Sequence, residues 1–204
     1  METSDDELFA AWRAGNSAAA DALARRHYTR VLRFFEYRTG QAAEDLVQRT
    51  FAGCAESLPR YRGEGSFRAY LFGIARNTLL MHLRRRRYDD DLSRLDAPDA
   101  PNARTGMSTI VARRDEQRVL LQAMVALPED LQTTLVLYYW EGMKAQEFAN
   151  ALGCPPSTAR TRLSRAREVL REHVLEFSAA GSARERLLAD VDGWLRSLPQ
   201  ANEH

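Results

Sequence analysis

The 204-residue chain carries 29 basic and 28 acidic residues, a net charge of +1 and 45% apolar residues, an ordinary globular composition with room for two small domains. No apolar run approaches the roughly 20 residues that span a bilayer; the acidic start, Met1-Glu2-Thr3-Ser4-Asp5-Asp6-Glu7, is unlike a signal peptide, so a cytoplasmic location is expected. Cys54 and Cys154 lack zinc-site spacing, His27, His82, His173 and His204 are scattered, and no phosphate loop or nucleophile motif occurs, so no catalytic residue, metal or cofactor is predicted.

Periodicity is helical almost throughout and predicts an all-α fold of two small domains. Residues 1–87 read as a bundle of four or five helices. Ala24, Tyr28, Val31 and Phe35 repeat at i, i+4, i+7, i+11; Val47, Phe51, Cys54 and Leu58 repeat the spacing, and Phe67, Leu71, Ile74 and Thr78 follow it. Tyr61-Arg62-Gly63-Glu64-Gly65-Ser66-Phe67 is a Gly-rich loop between helices. It leads into Tyr70, Phe72, Arg76, Asn77 and the unbroken run Arg84–Arg87. Interleaved aromatic and basic groups can stack and clamp unpaired bases, and Asn can read a flipped base edge. Spacing alone favours the plainer reading, with Phe67, Tyr70 and Phe72 in the core.

Residues 88–111 break the pattern with Asp89–Asp91, Pro98, Pro101 and Gly106 and few large apolar groups, which predicts a flexible linker. The second domain spans 112–177, with Pro128 separating a helix carrying Val119, Leu120, Met124 and Leu127 from one carrying Leu131, Leu135 and Tyr139. In the tail, 178–204, a Ser182–Glu185 capping box precedes Leu187, Val191, Trp194 and Leu198 on one helical face. This C-terminal amphipathic helix either braces the second domain or controls access of DNA or a partner.

Lys144–Glu172 reads as a helix-turn-helix. Gln146–Leu152 is a short helix with Phe148 and Leu152 inward, Gly153 supplies a left-handed cap, and Cys154-Pro155-Pro156 makes the turn. Ser157 or Thr158 can cap the next helix, which buries Ala159, Leu163, Ala166 and Leu170. The opposite arc presents Arg160, Thr161, Ser164, Arg165, Arg167 and Arg171. Fork-shaped donors near the start of such a helix can take guanine O6 and N7 in pairs, while arginines further along hold phosphates. A bare arginine run is more often a solvated face; the preceding helix, glycine turn and proline start favour DNA.

With both halves assembled, residues 8–174 resemble a bacterial extracytoplasmic-function (ECF) sigma factor of the sigma-70 superfamily. Glu44-Asp45-Leu46-Val47-Gln48-Arg49-Thr50-Phe51 resembles the segment that grips the polymerase β′ clamp helices. Phe67–Asn77 resembles the −10 recognition and melting segment, and Glu147-Phe148-Ala149 with Thr158–Arg167 resembles the −35 reader. The resemblance implies a factor that binds core RNA polymerase, through the β′ clamp helices and β flap, and promoter DNA, with an anti-sigma factor as a family expectation. It assigns Glu44, Asp45, Val47, Gln48 and Phe51 to polymerase. It assigns Tyr61, Phe67, Tyr70, Arg76, Asn77, Arg84 and Arg85 to the −10 element and melting, reversing the core reading of the aromatics. Arg160, Thr161, Ser164, Arg165 and Arg167 are assigned to the −35 element. The chain departs from the family at Ala42 and Arg49, where Asp and Glu are common, which predicts weaker polymerase binding. The competing reading is a conventional helix-turn-helix regulator with a helical sensor domain.

Overall fold

Ser4 opens the first helix of the computed structural model, which describes residues 3–61, 65–96, 115–179 and 181–198. Its hydroxyl accepts from the Glu7 amide and the Glu7 carboxylate accepts from the Ser4 amide, a reciprocal capping box that starts α1 (Asp5–Arg13). Asn16 caps α2 (Ser17–Thr39) by accepting from the Ala18 and Ala19 amides. α3 (Ala43–Ser57) and α4 (Phe67–Asp96) complete the first of two units, 1–108. Among the described residues every regular element is helical.

α2 buries Leu23, His27, Val31, Phe34 and Phe35, and α4 answers with Phe67, Leu71, Phe72, Ala75 and Leu79. Tyr28, expected on the apolar stripe, is 42% exposed, because His27 holds the inward position beside it. Asp5 fixes α1 to α2: its carboxylate accepts from Arg26 at 2.7 Å and from His27 Nε2 at 2.7 Å. Burial holds His27 below its ordinary pKa, while the neighbouring Asp5 carboxylate pulls the other way. Cys54 is fully buried and burial pushes its thiol up to about 12, a structural thiol.

α4 overturns part of the linker expectation. Tyr88–Asp96 continue the helix, and the rest of the expected linker lies outside the described residues.

In the second unit, 109–204, α5 (Asp115–Ala126) leads through Pro128 into α6 (Glu129–Leu135) and a π-helical turn, Val136–Trp140. The Gln132 amide donates to the Val125 and Leu127 carbonyls, both at 3.0 Å, satisfying orphan groups at the end of α5. α7 (Ala145–Leu152) and α8 (Pro156–Phe177) follow, with α8 packed against α5, α6 and α7.

The tail is two helices, α9 (Ser182–Ala189) and α10 (Val191–Ser197). Gly181, not Ser182, occupies the N-cap, and Asp190 interrupts the helix, its carboxylate accepting from the Gly193 amide to restart it. Leu187, Val191, Leu195 and Leu198 are buried, each contributing ~1.5–3 kcal/mol of transfer free energy, while Trp194 is only half-buried. Arg186 pairs with Glu116 at 2.5 Å, and Trp140 Nε1 donates to the Leu195 carbonyl at 3.0 Å.

Candidate nucleic-acid interface

The helix pair α7–α8 is shaped by its turn. Gly153 adopts φ 64, ψ 38, its amide bonds to Asn150 O, and the Cys154 amide reaches back to Ala149 O. These two bonds form a Schellman motif, which ends α7. A Cβ at Gly153 would meet nothing within 4 Å, so Gly153→Ala strains the backbone alone. It is expected to cost about 1 kcal/mol in chemical denaturation, with Gly153→Asn losing less.

Pro155 and Pro156 start α8 without a side-chain cap; Ser157 and Thr158, expected as caps, lie in its first turn. Proline's fixed φ and missing amide suit that first position. Ala159, Leu163, Ala166, Leu170 and Val174 are buried, which turns Arg160, Thr161, Ser164 and Arg165 outward as an exposed arc. The Thr161 hydroxyl donates to Ser157 O at 3.1 Å. Arg165 pairs with Glu168 at 2.6 Å, but both are more than half exposed, so water screens the pair and a phosphate can displace the carboxylate.

Arg167, expected among the DNA-facing side chains, is engaged within its own unit rather than standing free on the exposed arc. It is half-buried, its Nε donates to the Tyr139 hydroxyl at 2.6 Å, and its guanidinium stacks over the Tyr138 and Tyr139 rings at 5.1 and 5.3 Å. Lying at i+7 from Arg160, it sits where the outward arc meets the packed edge.

In the first unit Phe67 is also corrected. It is 1% exposed and touches the rings of Phe9, Trp12 and His27, a core position, and Phe72 is fully buried. Tyr70 is half-buried; its hydroxyl donates to Cys54 O at 2.7 Å and lies 2.7 Å from Ser57 Oγ. Tyr61 packs at a tilt against the rings of Phe9 and Tyr70, lies under Arg13 and donates to Gly65 O. Asp6, Phe9, Arg13, Tyr61 and Ser66 line a cavity of about 260 Å³ at the base of the loop, whose Arg62, Gly63 and Glu64 lie outside the described residues. α1's part in this cavity had no local sequence signal, since Phe9 meets Tyr61 only through the fold.

Further along α4, Arg76 is half-buried and Asn77, Arg84 and Arg85 are exposed. Met81, 70% exposed, and Tyr88, 66% exposed, share a face with Asn77 and Arg84. The spacing i, i+4, i+7, i+11 was readable in the sequence but hidden by the linker assignment of Tyr88.

On α3, Glu44, Asp45 and Gln48 are exposed and Phe51 half-buried, whereas Val47 is fully buried. Val47 therefore supports the face from beneath, correcting its assignment as a contact. Arg49 pairs with Asp45 at 2.8 Å, so one acidic group of this face is already engaged by a cation in its own helix. His82, on α4 beside it, is held below its ordinary pKa by burial first, then by Arg86 and Arg49.

Comparison with known proteins places two family matches in order along the chain. Residues 22–88 match the model described as Sigma-70 region 2, and residues 117–170 match Sigma-70, region 4. The RNA polymerase sigma-H factor of Pseudomonas aeruginosa is 30% identical over 178 residues, 81% of this chain and 91% of that protein. The ECF RNA polymerase sigma-E factor of Haemophilus influenzae is 28% identical over 185 residues, covering 85% and 96%. The fold resembles CnrH, solved with the cytosolic domain of CnrY, at a TM-score of 0.58 and 24% identity over 86% of this chain and 99% of that one. It also resembles the sigma factor RpoE, solved with the anti-sigma factor NepR from Bartonella quintana, at a TM-score of 0.52 and 22% identity over 76% and 98%.

Proposed function

The chain belongs to the extracytoplasmic-function branch of the sigma-70 RNA polymerase sigma factors, and on that premise we propose how its residues divide the work. It directs promoter-specific transcription initiation by binding core RNA polymerase and the −10 and −35 promoter elements.

The second unit reads the −35 element through Arg160, Thr161, Ser164 and Arg165. The observation that carries this is the exposed, donor-rich arc on the second and third turns of α8, opposite a fully packed stripe. Arg forks take guanine edges, and the hydroxyls reach bases or phosphates. The first unit holds the unpaired −10 strand with Tyr61, Tyr70, Arg76, Asn77, Arg84 and Arg85. Phe67 shapes that surface from the core. Glu44, Asp45, Gln48 and Phe51 meet the β′ clamp helices, with the β flap as a second contact. Residues 1–87 and 112–177 are the two functional domains, with 88–111 between them. The bond-making chemistry is polymerase's; this chain supplies no catalytic group and works in the cytoplasm beside that enzyme. An anti-sigma factor of the kind seen with the Bartonella quintana relative is a fitting partner. A conventional regulator is disfavoured by two sigma regions matching in order.

The test is to sequence the transcripts made by core polymerase with and without the protein. Added start sites sharing two motifs at fixed spacing support the reading; an unchanged transcript set refutes it. A second outcome concerns Arg49. Ala42→Asp with Arg49→Glu removes the cation from Asp45 and adds acid, so in a competition assay the double variant is expected to bind core enzyme about threefold tighter or better. Equal or weaker binding would contradict the assignment of this face.

A further inference from the structure

The helix that reads DNA is held from behind by the tail. On α8, Arg160, Arg167 and Arg171 stand at i, i+7 and i+11, one line along the edge of the outward arc. Arg160 and Arg171 are exposed, while Arg167 meets α10. Its Nε donates to the Tyr139 hydroxyl at 2.6 Å, and that hydroxyl donates to the Asp192 carboxylate at 2.5 Å. Asp192 Oδ1 lies 3.7 Å from Arg167 Nε, and the Arg196 guanidinium lies 5.5 Å from the Tyr139 ring centroid. A guanidinium and a phenol thus converge with a second guanidinium nearby, and the oxygen anion they face is supplied by the chain itself. The side chains of Arg167 and Asp192 remain 26% and 40% exposed, so the cluster opens to solvent.

We propose that Arg167 and Tyr139 form a phosphate site for the promoter backbone beside the −35 element, and that Asp192 of the tail occupies it until DNA competes it away. Both ligands present oxygen anions of similar size to the same donors. A phosphate delivered by docking of the preceding turns of α8 meets Arg167 at high local concentration. The C-terminal extension then has a function beyond bracing: it lowers the affinity of the −35 reader by offering a competing carboxylate. An exposed pair of this kind is weak, so the brake is graded. α10 has an anchor apart from Asp192: Val191 and Leu195 are buried, as is Leu198 just after it. This inference rests on the sigma-factor reading of α8.

The experiment uses the full chain bound to core polymerase and a promoter duplex recovered from the transcripts of the wild-type holoenzyme. Asp192→Asn is expected to tighten binding about two- to fivefold and to steepen the dependence of affinity on salt by about one released ion. Asp192→Glu, which keeps the anion, is expected to stay near wild type. Arg167→Ala is expected to cost more affinity in the Asp192→Asn background than in wild type, because only there is Arg167 fully available to the phosphate. The proposal is overturned if Asp192→Asn leaves affinity and salt slope unchanged, or weakens binding, with its thermal transition intact. Should Asp192→Asn unfold the tail, equal cost of Arg167→Ala in the wild-type and Asp192→Glu backgrounds as in a chain ending at residue 178 overturns it too. A wild-type holoenzyme that initiates nowhere defeats the sigma-factor reading itself, a different failure.

Discussion

Replacing Arg160 with alanine is expected to lower initiation at a dependent promoter about ten- to a hundredfold while leaving core polymerase binding unchanged. Arg160 stands exposed just after the first turn of α8, the part of a recognition helix that enters the major groove. A bidentate contact from its guanidinium to a guanine edge is worth ~1–3 kcal/mol of discrimination, which sets the size of the loss. Ala159 and Leu163 stay buried around it, so the helix should fold as before. Arg160→Lys keeps the charge but not the fork, and is expected to recover nonspecific binding more than selectivity. Run-off transcription with the variants, alongside competition for core enzyme, measures both. Unchanged selectivity in Arg160→Ala would remove this residue from the base-reading set.

The second large effect separates packing from stacking at Phe67. Its ring lies 5.2 Å from that of Phe9, 6.2 Å from Trp12 and 5.3 Å from His27, and only 1% of it is exposed. Truncation leaves a cavity between α1, α2 and α4 that these rigid rings cannot collapse into. Phe67→Ala is therefore expected to destabilise the first unit by about 3–5 kcal/mol, a large share of the stability of a domain this size. Phe67→Leu keeps most of the volume and is expected to cost much less, about 1 kcal/mol. Urea titration reports both. Promoter opening by the Phe67→Leu holoenzyme, followed by permanganate reactivity of unpaired thymines, is expected near the wild-type level. A folded Phe67→Leu protein that cannot open DNA would restore the aromatic ring to a direct stacking role.

These outcomes mark where residue pattern was enough and where it was not. The turn at Gly153 and the stripe Ala159, Leu163, Ala166 and Leu170 were readable because local backbone chemistry and helical period alone determine them. Phe67 and Val47 were misplaced for a common reason: a motif says which segment meets a partner, but only packing says which of its side chains face outward. Tyr28 failed because a stripe drawn by apolar residues skips His27, whose ring is buried once Asp5 accepts its proton bond. The extension of α4 to Asp96 was hidden by low apolar content. Arg85 stands four residues ahead of Asp89, a spacing at which opposite charges support a helix without a core. The Arg167–Tyr139–Asp192 cluster joins residues 53 apart for the Tyr139–Asp192 bond and 28 apart for the Arg167–Tyr139 bond, so nothing local announced it.

We propose that this chain reads promoters as part of polymerase, through two weak sites made selective by being held together. It is tested most directly by measuring binding to one promoter duplex and to a scrambled duplex, for the free chain and for its complex with core polymerase. Weak binding with little preference is expected for the free chain, and strong preference in the complex that depends on both the −35 and −10 sequences. Tight, sequence-specific binding by the free chain, equal with and without polymerase, would contradict it.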